Sequence, residues 1–367
     1  MANTRSMTRK LTSWSDLDHD LLFLIMMHLG LFDFAAFSSV CTSWRSLAVS
    51  KWNTFMMSKQ PMCLSISSRL KVCYLKDYKR RKLRTTISHS NGSICVGITC
   101  GYLIFFERAT RDFLLVNPFT RKELRFVGFP FYVSMYPKNI RGVLVYSPSM
   151  SGWVFVVITG SDKIAFSLPG EQGGWYYVVS PYLIHDLHFF KGKVYTIDVF
   201  SDVSELRLTP QPTLTSLKMK DFPWTDGRRL WSSMEFVSSS DNLYLVDASE
   251  DAFAAIEVDF GEMKWVTSER TIGDHAVFLS NFKCAAAIKP DTWLHPWTHY
   301  GILDYIKENK LRKKRRKCFS NMWYFPHDCL IGDDAAQHNT VYVPPTSGGL
   351  AKDRPRRQPK KPARLED

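Results

Sequence analysis

Short apolar runs bounded by turn residues fill the chain after about residue 60, and they restrict the fold more than any other feature. The runs are rich in Val, Ile, Tyr and Phe, and Gly, Pro, Asn and Asp bound them, which is the pattern of short β-strands. Because no long amphipathic helix separates them, a doubly wound parallel sheet is excluded and the sheets should be mainly antiparallel. Strands are predicted at residues 102–106, 113–116, 143–146, 153–158, 175–179, 194–197, 243–246, 255–258 and 277–279.

A weak internal repeat narrows the choice among antiparallel folds. Turn dipeptides precede strands at Asn91-Gly92, Lys191-Gly192 and Asp241-Asn242, and Ser151-Gly152 is a related step. The sequence separations between these dipeptides cluster at about 50 residues or twice that number. A period of about 50 residues is the length of a four-stranded blade of a kelch-like propeller. Tryptophans near strand ends would wedge between neighbouring blades; these are Trp175, Trp231 and Trp265. A mainly β fold with a kelch-like β-propeller is therefore predicted, with a β-sandwich as the alternative.

The segment from Trp14 to Trp52 has a different, helical period. Its apolar residues repeat at intervals of three and four and predict three short amphipathic helices. Gly30 is expected to end the first helix in a left-handed cap position, and Asp33 to cap a second helix from Phe34 to Ser39. Three helices this short cannot bury all their apolar side chains among themselves. One face should therefore meet another surface.

The order of apolar and polar residues in this segment matches a known pattern. The matching residues are Leu17, Leu21, Leu22, Ile25, Leu29, Asp33, Phe34, Phe37, Val40, Cys41, Trp44 and Arg45. With them the segment resembles an F-box. Asp18 stands where the family usually has proline, and His19 where an acidic residue is common. Asp18 should still preserve the helix start, because its carboxylate lies at the positive end of the helix dipole.

The F-box resemblance implies docking on a Skp-type adaptor, which joins the chain to a cullin and so to a ubiquitin-conjugating machine. The residues assigned to adaptor binding, some at the interface and some in the small core, are Leu17, Leu21, Leu22, Ile25, Leu29, Phe34, Val40 and Trp44. The alternative is a helical bundle that packs on its own domain and binds nothing.

Four further motifs occur in a fixed order in the strand-rich part. They are NPFTRKEL at 117–124, SLPG at 167–170 ahead of Trp175, FFKGKVY at 189–195 and IGDHAVFL at 272–279. Together they resemble the plant family that joins an F-box to a kelch-like propeller domain of unknown function. The resemblance covers most of residues 70–335 and implies that the propeller presents loops to a target protein. Residues 293–317 depart from it and indicate a helical, charged insertion in the last blade.

The formal charge of +13 is concentrated in three runs. Residues 76–84, 310–317 and 352–367 together carry +16, so the rest of the chain carries about −3. A general nucleic-acid-binding surface would spread Lys and Arg over a face and interleave exposed aromatics, which these runs lack. The run at 76–84 is an alternative contact for an acidic partner. The run at 310–317 indicates either a nuclear-import signal or a solvated loop; its basic residues are Lys310, Arg312, Lys313, Lys314, Arg315, Arg316 and Lys317.

No catalytic constellation stands out. The sequence has no GxSxG, GxxxxGK[ST], GxGxxG or HExxH motif. His185 and His188 lie in a predicted strand whose alternation should direct them to opposite faces, which disfavours one shared metal ion. His295 and His299 have helical spacing, but Pro296 lies between them and no further ligand completes a site. We expect no catalytic residue, no metal and no cofactor.

The eight cysteines are scattered without a CxxC pair, which indicates reduced thiols in a nuclear or cytosolic protein. The longest apolar run is too short to span a membrane. The predicted organisation is a disordered leader (1–11), an F-box (12–56), a linker (57–69), a kelch-like propeller (70–340) and a disordered basic, Pro-rich tail (341–367).

The predicted function is that of a non-catalytic substrate-recognition subunit of a Skp–cullin–F-box ubiquitin ligase. A non-enzymatic nuclear scaffold or nucleic-acid-associated protein that uses the basic runs is the alternative, and the near-neutral body disfavours it. An enzyme with residues lining a propeller channel is a third hypothesis, for which the sequence groups no side chains.

Overall fold

The structure is a computed structural model, and it describes sixteen stretches of the chain. These are residues 14, 17–67, 72–77, 81–87, 92–133, 139–147, 150, 152–170, 174–209, 211–223, 234–248, 253–267, 272, 275–280, 285–289 and 319–326. The described residues fall into two compact units that divide between Phe55 and Met56. The predicted leader, the tail and the insertion at 293–317 lie outside the described residues.

The first unit is helical. Its helices are α1 (His19–His28), α2 (Leu31–Phe37), α3 (Thr42–Ser50) and α4 (Trp52–Met57), which crosses into the second unit. The sequence predicts only three helices, and two of its local predictions are wrong. Gly30 has φ −77° and ψ 165°, so it is extended and forms the N-cap of α2. Asp33 accordingly lies inside the first turn of α2, because the helix begins three residues earlier than the polar side chain suggests.

Large apolar side chains from all four helices form the core of this unit. The ring centroid of Phe34 lies 4.1 Å from that of Phe55 and 5.3 Å from that of Trp52. The buried apolar residues are Leu22, Met26, Leu31, Phe34, Phe37, Leu47, Ala48, Trp52 and Phe55. Each helix turns only one side to this core, so apolar residues on the other sides of α1 remain at the surface.

Among the described residues, the second unit contains 22 short strands. They are β1 (Met62–Ser67), β2 (Val72–Lys76), β3 (Lys82–Thr86), β4 (Ser93–Thr99), β5 (Tyr102–Glu107), β6 (Asp112–Val116), β7 (Glu123–Phe126), β8 (Arg141–Ser147), β9 (Gly152–Ile158), β10 (Lys163–Ser167), β11 (Tyr176–Val179), β12 (Ile184–Phe190), β13 (Lys193–Asp198), β14 (Val203–Arg207), β15 (Thr213–Ser216), β16 (Met234–Ser238), β17 (Leu243–Ala248), β18 (Phe253–Asp259), β19 (Lys264–Thr267), β20 (Ala276–Phe278), β21 (Ala286–Ile288) and β22 (Phe319–Tyr324). All nine predicted strands are present. Strand β1 lies inside the predicted linker, so the strand-rich unit begins before residue 70.

The strands form five sheets that follow one another along the chain. Four are antiparallel meanders, namely β4–β7, β8–β11, β12–β15 and the β16–β19 part of the fifth sheet. The remaining sheet has the order β22-β1-β2-β3, so a late strand completes the first blade. The first strands of consecutive sheets, β4, β8, β12 and β16, lie side by side. The unit is therefore a five-bladed β-propeller and not a sandwich; its kelch-like character stays a prediction.

The hairpin of β20 and β21 extends the fifth sheet beyond its first strand. Strand β21 pairs in parallel with β16 at Ala286 and Ser238, and the sheet order is β19-β18-β17-β16-β21-β20. The ring of Phe278 lies 5.0 Å from that of Trp323 on β22 and 6.0 Å from that of Phe325. The hairpin thus packs between the fifth and the first sheets.

The repeated turns join the first and second strands of the blades. Lys191 and Gly192 join β12 to β13 with φ of 46° and 80°, and Cys100 and Gly101 join β4 to β5 with φ of 45° and 72°. Residues 241–242 occupy the same place between β16 and β17. Gly92 also precedes a strand as predicted, but that strand is β4, the first of its sheet, and Asn91 lies outside the described residues.

Tryptophan wedges between blades are confirmed at two of the three predicted positions. Trp175 precedes β11 and packs on Phe113 of the second sheet, with the ring centroids 6.0 Å apart. It also packs on the segment that follows that sheet, where its centroid lies 4.8 Å from that of Phe129 and its Nε1 donates to the Val127 carbonyl over 2.8 Å. Trp265 on β19 is buried in the cluster between the fourth and fifth sheets. Trp231 lies outside the described residues.

Candidate functional site

The N-terminus of α1 is capped as the sequence predicts. Asp18 has φ −57° and ψ 143°, and its Oδ1 accepts a hydrogen bond from the Asp20 backbone N–H over 2.8 Å. Its carbonyl accepts from the N–H of Leu22 over 3.0 Å. Asp18 therefore satisfies one of the free N–H groups of the first turn and performs the function that a proline would otherwise perform by fixing the backbone.

One side of α1 carries exposed apolar side chains. The exposed fractions are 51% for Leu21, 56% for Leu24 and 37% for Ile25. Positions separated by three and four residues lie on one side of a helix, so these three form a continuous strip, the α1 stripe. The opposite side holds Leu22 and Met26, which are fully buried. Helix α1 is thus apolar on two sides, and the first unit covers only one of them.

The predicted adaptor-binding residues separate into three groups. Leu21, Ile25 and Val40 are exposed; Leu17, Leu29 and Trp44 are half-buried; Leu22 and Phe34 are buried. Leu22 and Phe34 are thus among the predicted residues that lie in the small core, and the binding of an adaptor by the exposed ones stays a prediction.

Leu24 is the exposed residue that the sequence reasoning missed. It follows Leu21 by three positions, so the helical period would have placed it on the same side. The half-buried Trp44 also has an internal role, because its Nε1 donates to the Trp14 carbonyl over 3.2 Å and its ring lies 4.6 Å from that of Phe37.

In the propeller, a buried polar joint connects the first strands of three neighbouring blades. The Nε of Arg141 on β8 lies 3.0 Å from Oδ1 of Asp186 on β12 and donates to the Leu187 carbonyl over 3.1 Å. Oδ2 of Asp186 accepts from the backbone N–H of Phe236 on β16 over 2.7 Å. Asp186 is 0% exposed and Arg141 8% exposed. This set, Arg141 with Asp186 and the Phe236 N–H, holds adjacent blades together.

The two histidines of β12, for which strand alternation predicts opposite faces, both lie within hydrogen-bonding distance of β16. A bulge between Ile184 and Asp186 shifts the register of β12, and both histidines then reach β16. Nε2 of His185 donates to the Met234 carbonyl over 3.0 Å, and Nε2 of His188 lies 2.9 Å from Oγ of Ser238.

Burial, with a further contribution from Arg141, lowers the pKa of His188 to about 4 against the opposing effect of Asp186. The imidazole is therefore neutral at pH 7 and serves as an uncharged hydrogen-bonding group between blades.

Other predicted features fall partly within the described residues. The described residues of the basic run, 76–77 and 81–84, lie at the facing ends of β2 and β3, where Nε of Arg81 lies 2.7 Å from Oδ2 of Asp77. The run at 310–317 and the pair His295 and His299 lie outside the described residues. Among the residues that the structure describes, three or more His, Cys, Asp or Glu side chains do not gather as metal ligands. No described helix is long and apolar enough to cross a bilayer.

Each of the two units matches the profile of a known protein family. The profile of the KIB1-4 beta-propeller matches residues 70–293, more than half of the chain. The chain belongs to the KIB1-4 beta-propeller family. The F-box domain profile matches residues 14–56, which include all four helix cores and the α1 stripe. This member of the family therefore joins an F-box domain to a five-bladed propeller. A search of curated proteins found no match.

Solved structures resemble the chain only distantly. AztD from Citrobacter koseri is 14% identical with a TM-score of 0.32, over 57% of this chain and 56% of AztD. A streptogramin B lyase is 9% identical with a TM-score of 0.38, over 62% of this chain and 72% of the lyase. A protein of unknown function from Bacteroides caccae is 11% identical with a TM-score of 0.31, over 63% of this chain and 99% of that protein. The chain spans just over half the length of AztD, and likeness at this level supports no functional conclusion.

Proposed function

We propose that the chain is the substrate receptor of a Skp–cullin–F-box ubiquitin ligase, with the F-box docked on a Skp-type adaptor and the propeller on a target protein. The observation that carries the proposal is the α1 stripe, Leu21, Leu24 and Ile25, which is exposed on a unit whose sequence matches the F-box domain. An apolar strip that the chain itself leaves uncovered supports docking on an apolar partner surface.

The receptor contributes position and not bond chemistry. Holding a target lysine near the conjugating enzyme makes the transfer intramolecular in effect, and linked binding sites of this kind reach effective concentrations of about 1 mM. Catalysis would then belong to other subunits of the ligase. The joint of Arg141 and Asp186 supports this arrangement by keeping the blades, and so the target-binding loops, in fixed positions.

We place this function in the nucleus or the cytoplasm. The cysteines that the structure describes, Cys41, Cys63, Cys73, Cys95 and Cys100, carry thiols and not disulfides. Reduced cysteines in these positions support a reducing compartment.

The test is a binding titration of the purified full-length chain against a purified Skp-type adaptor. Truncation of a half-exposed leucine or isoleucine in an interface removes about 1 kcal/mol of apolar burial, so Leu21→Ala/Ile25→Ala should weaken binding roughly 10- to 30-fold. Val179→Ala/Leu183→Ala, which truncates two residues of similar exposure on the propeller, is the matched control and should bind normally. If the intact chain does not bind the adaptor, the proposal is wrong.

A further inference from the structure

The outer strands of the five blades differ in what they expose. An outer strand leaves N–H and C=O groups free along one edge, and proteins commonly protect such edges with charged side chains. The exposed residues are Lys82, Arg84 and Thr86 on β3, Glu123 and Arg125 on β7, Thr213, Thr215 and Ser216 on β15, and Thr267 on β19. On β11 they are Tyr176, Tyr177 and Val179. Strand β11 is therefore the outer strand whose exposed side chains are apolar or aromatic.

Strand β11 ends its sheet, whose order is β11-β10-β9-β8. Within the part of the chain that the structure describes, no strand pairs with its outer edge. The exposed surface continues beyond the strand into the connection to β12 and the turn between β13 and β14, where the ring centroids of Tyr182 and Phe200 lie 4.6 Å apart. The residues of this β11 patch are Tyr176, Tyr177, Val179, Tyr182, Leu183 and Phe200, which are 46% to 64% exposed.

The size of the β11 patch fits a short segment better than a second copy of the chain. Four aromatic side chains that each offer 150–250 Å² and are about half exposed give roughly 400 Å² of surface. A standard interface buries about 800 Å² on each partner. One strand of about six residues spans about 20 Å, so the patch can hold an extended segment along β11, whereas it offers about half of what a stable dimer needs.

The charge of the β11 patch further limits the kind of segment that can bind there. The six residues of the β11 patch carry no formal charge, and two charged groups beside the patch already have partners. Nζ of Lys163 lies 4.9 Å from the ring centroid of Phe131, and Oδ1 of Asp198 accepts from the N–H groups of Phe200 and Asp202 over 2.8 and 3.0 Å. A charged segment would lose part of its hydration against six side chains, none of which supplies a counter-charge. An uncharged segment matches the patch.

We propose that β11 is a docking edge, to which an extended, uncharged segment of the target protein adds as a fifth strand of the third blade. Backbone hydrogen bonds to the free edge supply sequence-independent affinity. Alternate side chains of the added strand then contact the rings of Tyr176 and Tyr177, which selects β-branched and aromatic residues. That the occupant belongs to a ubiquitylation target rests on the proposed receptor function; the docking edge itself does not.

The experiment titrates the purified full-length chain into a fluorescently labelled, capped peptide of about six residues, the usual strand length, in which threonine alternates with valine and tyrosine. Anisotropy reports binding, and hydrogen exchange of the chain reports which amides become protected. A second peptide has the same sequence with methyl groups on alternate backbone nitrogens, which removes the pairing N–H groups. Tyr176→Lys adds to β11 the kind of charge that β3 carries, and should weaken binding at least about tenfold.

The expected result is saturable binding, protection of the β11 amides, and loss of binding by the methylated peptide and by Tyr176→Lys. The docking edge is overturned if neither peptide binds, if the methylated peptide binds equally well, or if protection falls elsewhere. It is also overturned if the chain elutes as a dimer that Tyr176→Lys converts to a monomer, because the edge would then serve self-association.

Adaptor binding separates this proposal from the receptor function. Tyr176→Lys should bind the adaptor normally, which also shows that the variant is folded, and Leu21→Ala/Ile25→Ala should bind the peptide normally. A chain that binds the peptide but not the adaptor has the docking edge without the receptor function. A chain that binds the adaptor but not the peptide has the reverse.

Discussion

Replacement of Asp186 by asparagine tests whether the buried polar joint holds neighbouring blades together. Asparagine keeps the shape of the side chain and an oxygen for the Phe236 N–H, whose bond to Oδ2 is 2.7 Å long. It removes the charge that lies 3.0 Å from Nε of Arg141. The arginine is 8% exposed, so the substitution leaves a buried guanidinium without its counter-charge.

The expected loss arises from this burial. Removing one partner of a buried ion pair costs about 3–5 kcal/mol, because the remaining charge is neither hydrated nor neutralised. The retained acceptor for the Phe236 N–H avoids a further loss of about 1–3 kcal/mol, and the bond from Arg141 to the Leu187 carbonyl gives the guanidinium one remaining partner. We therefore expect Asp186→Asn to lower the free energy of unfolding of the propeller by about 3 kcal/mol.

Urea denaturation of the full-length chain, followed by the circular dichroism of the strands, measures this change. Arg141→Met in the Asp186→Asn background should recover at least about 1 kcal/mol, because it removes the unpaired charge. Glu262→Gln, which breaks the exposed pair with Lys264, is the control and should lower the stability far less, because water screens that pair. A loss below about 1 kcal/mol for Asp186→Asn, or no recovery in the double variant, would refute the structural role assigned to the pair.

Two further predictions concern the same unit. A Cβ on Gly142 would lie 2.6 Å from Cε2 of the fully buried Phe155, so Gly142→Ala should lower the free energy of unfolding by about 1–3 kcal/mol. Gly152→Ala is the control and should cost far less, because its Cβ would meet its first neighbour only at 3.8 Å. Equal losses for the two variants in urea unfolding would contradict this prediction. The pKa of His188 is lowered to about 4 in the folded chain and has its ordinary value of about 6.5 in the unfolded chain. Between about pH 6.5 and 4 the unfolded chain therefore binds a proton that the folded chain does not, so the free energy of unfolding should fall as the pH drops through this window, by up to about 3 kcal/mol. His188→Gln, which can keep the bond to Ser238, should flatten this part of the urea-unfolding profile, and an unchanged slope would contradict the assignment.

The strands were predictable because each blade is built from local signals. Short runs rich in Val, Ile, Tyr and Phe and bounded by turn residues marked nine strands, and turn dipeptides such as Lys191-Gly192 marked the hairpins that join first and second strands. The sequence period of about 50 residues also separates residues that are hydrogen-bonded across blades. His188 bonds to Ser238 and Asp186 bonds to Phe236, each 50 residues further along the chain. Residues at equivalent places in consecutive blades meet at their boundary, which is why a sequence period and a structural neighbour coincide in a propeller.

Features that depend on contacts distant in the chain were not predictable. The bulge in β12 that brings His185 and His188 to one neighbour has no turn residue to announce it. Strand β1, which lies in a predicted linker, pairs with the neighbouring β2, but its other partner β22 is more than 250 residues away in the sequence. Likewise, an aspartate such as Asp33 caps a helix only if the helix starts there, and here the buried Leu31 starts α2 earlier.

Helix α1 shows why the division between core and surface needed the structure. The helical period identifies apolar residues on several sides of α1 and does not say which side has a partner. In the folded chain Leu22 and Met26 are buried in the core, whereas Leu21, Leu24 and Ile25 are 37% to 56% exposed. A helix that is apolar on two sides is stable in water only when both are covered or when the exposed side is small. The four helices cover one side and leave the second exposed. Under the proposed receptor function, the exposed leucines set the affinity for the adaptor, while the buried ones decide whether the module folds.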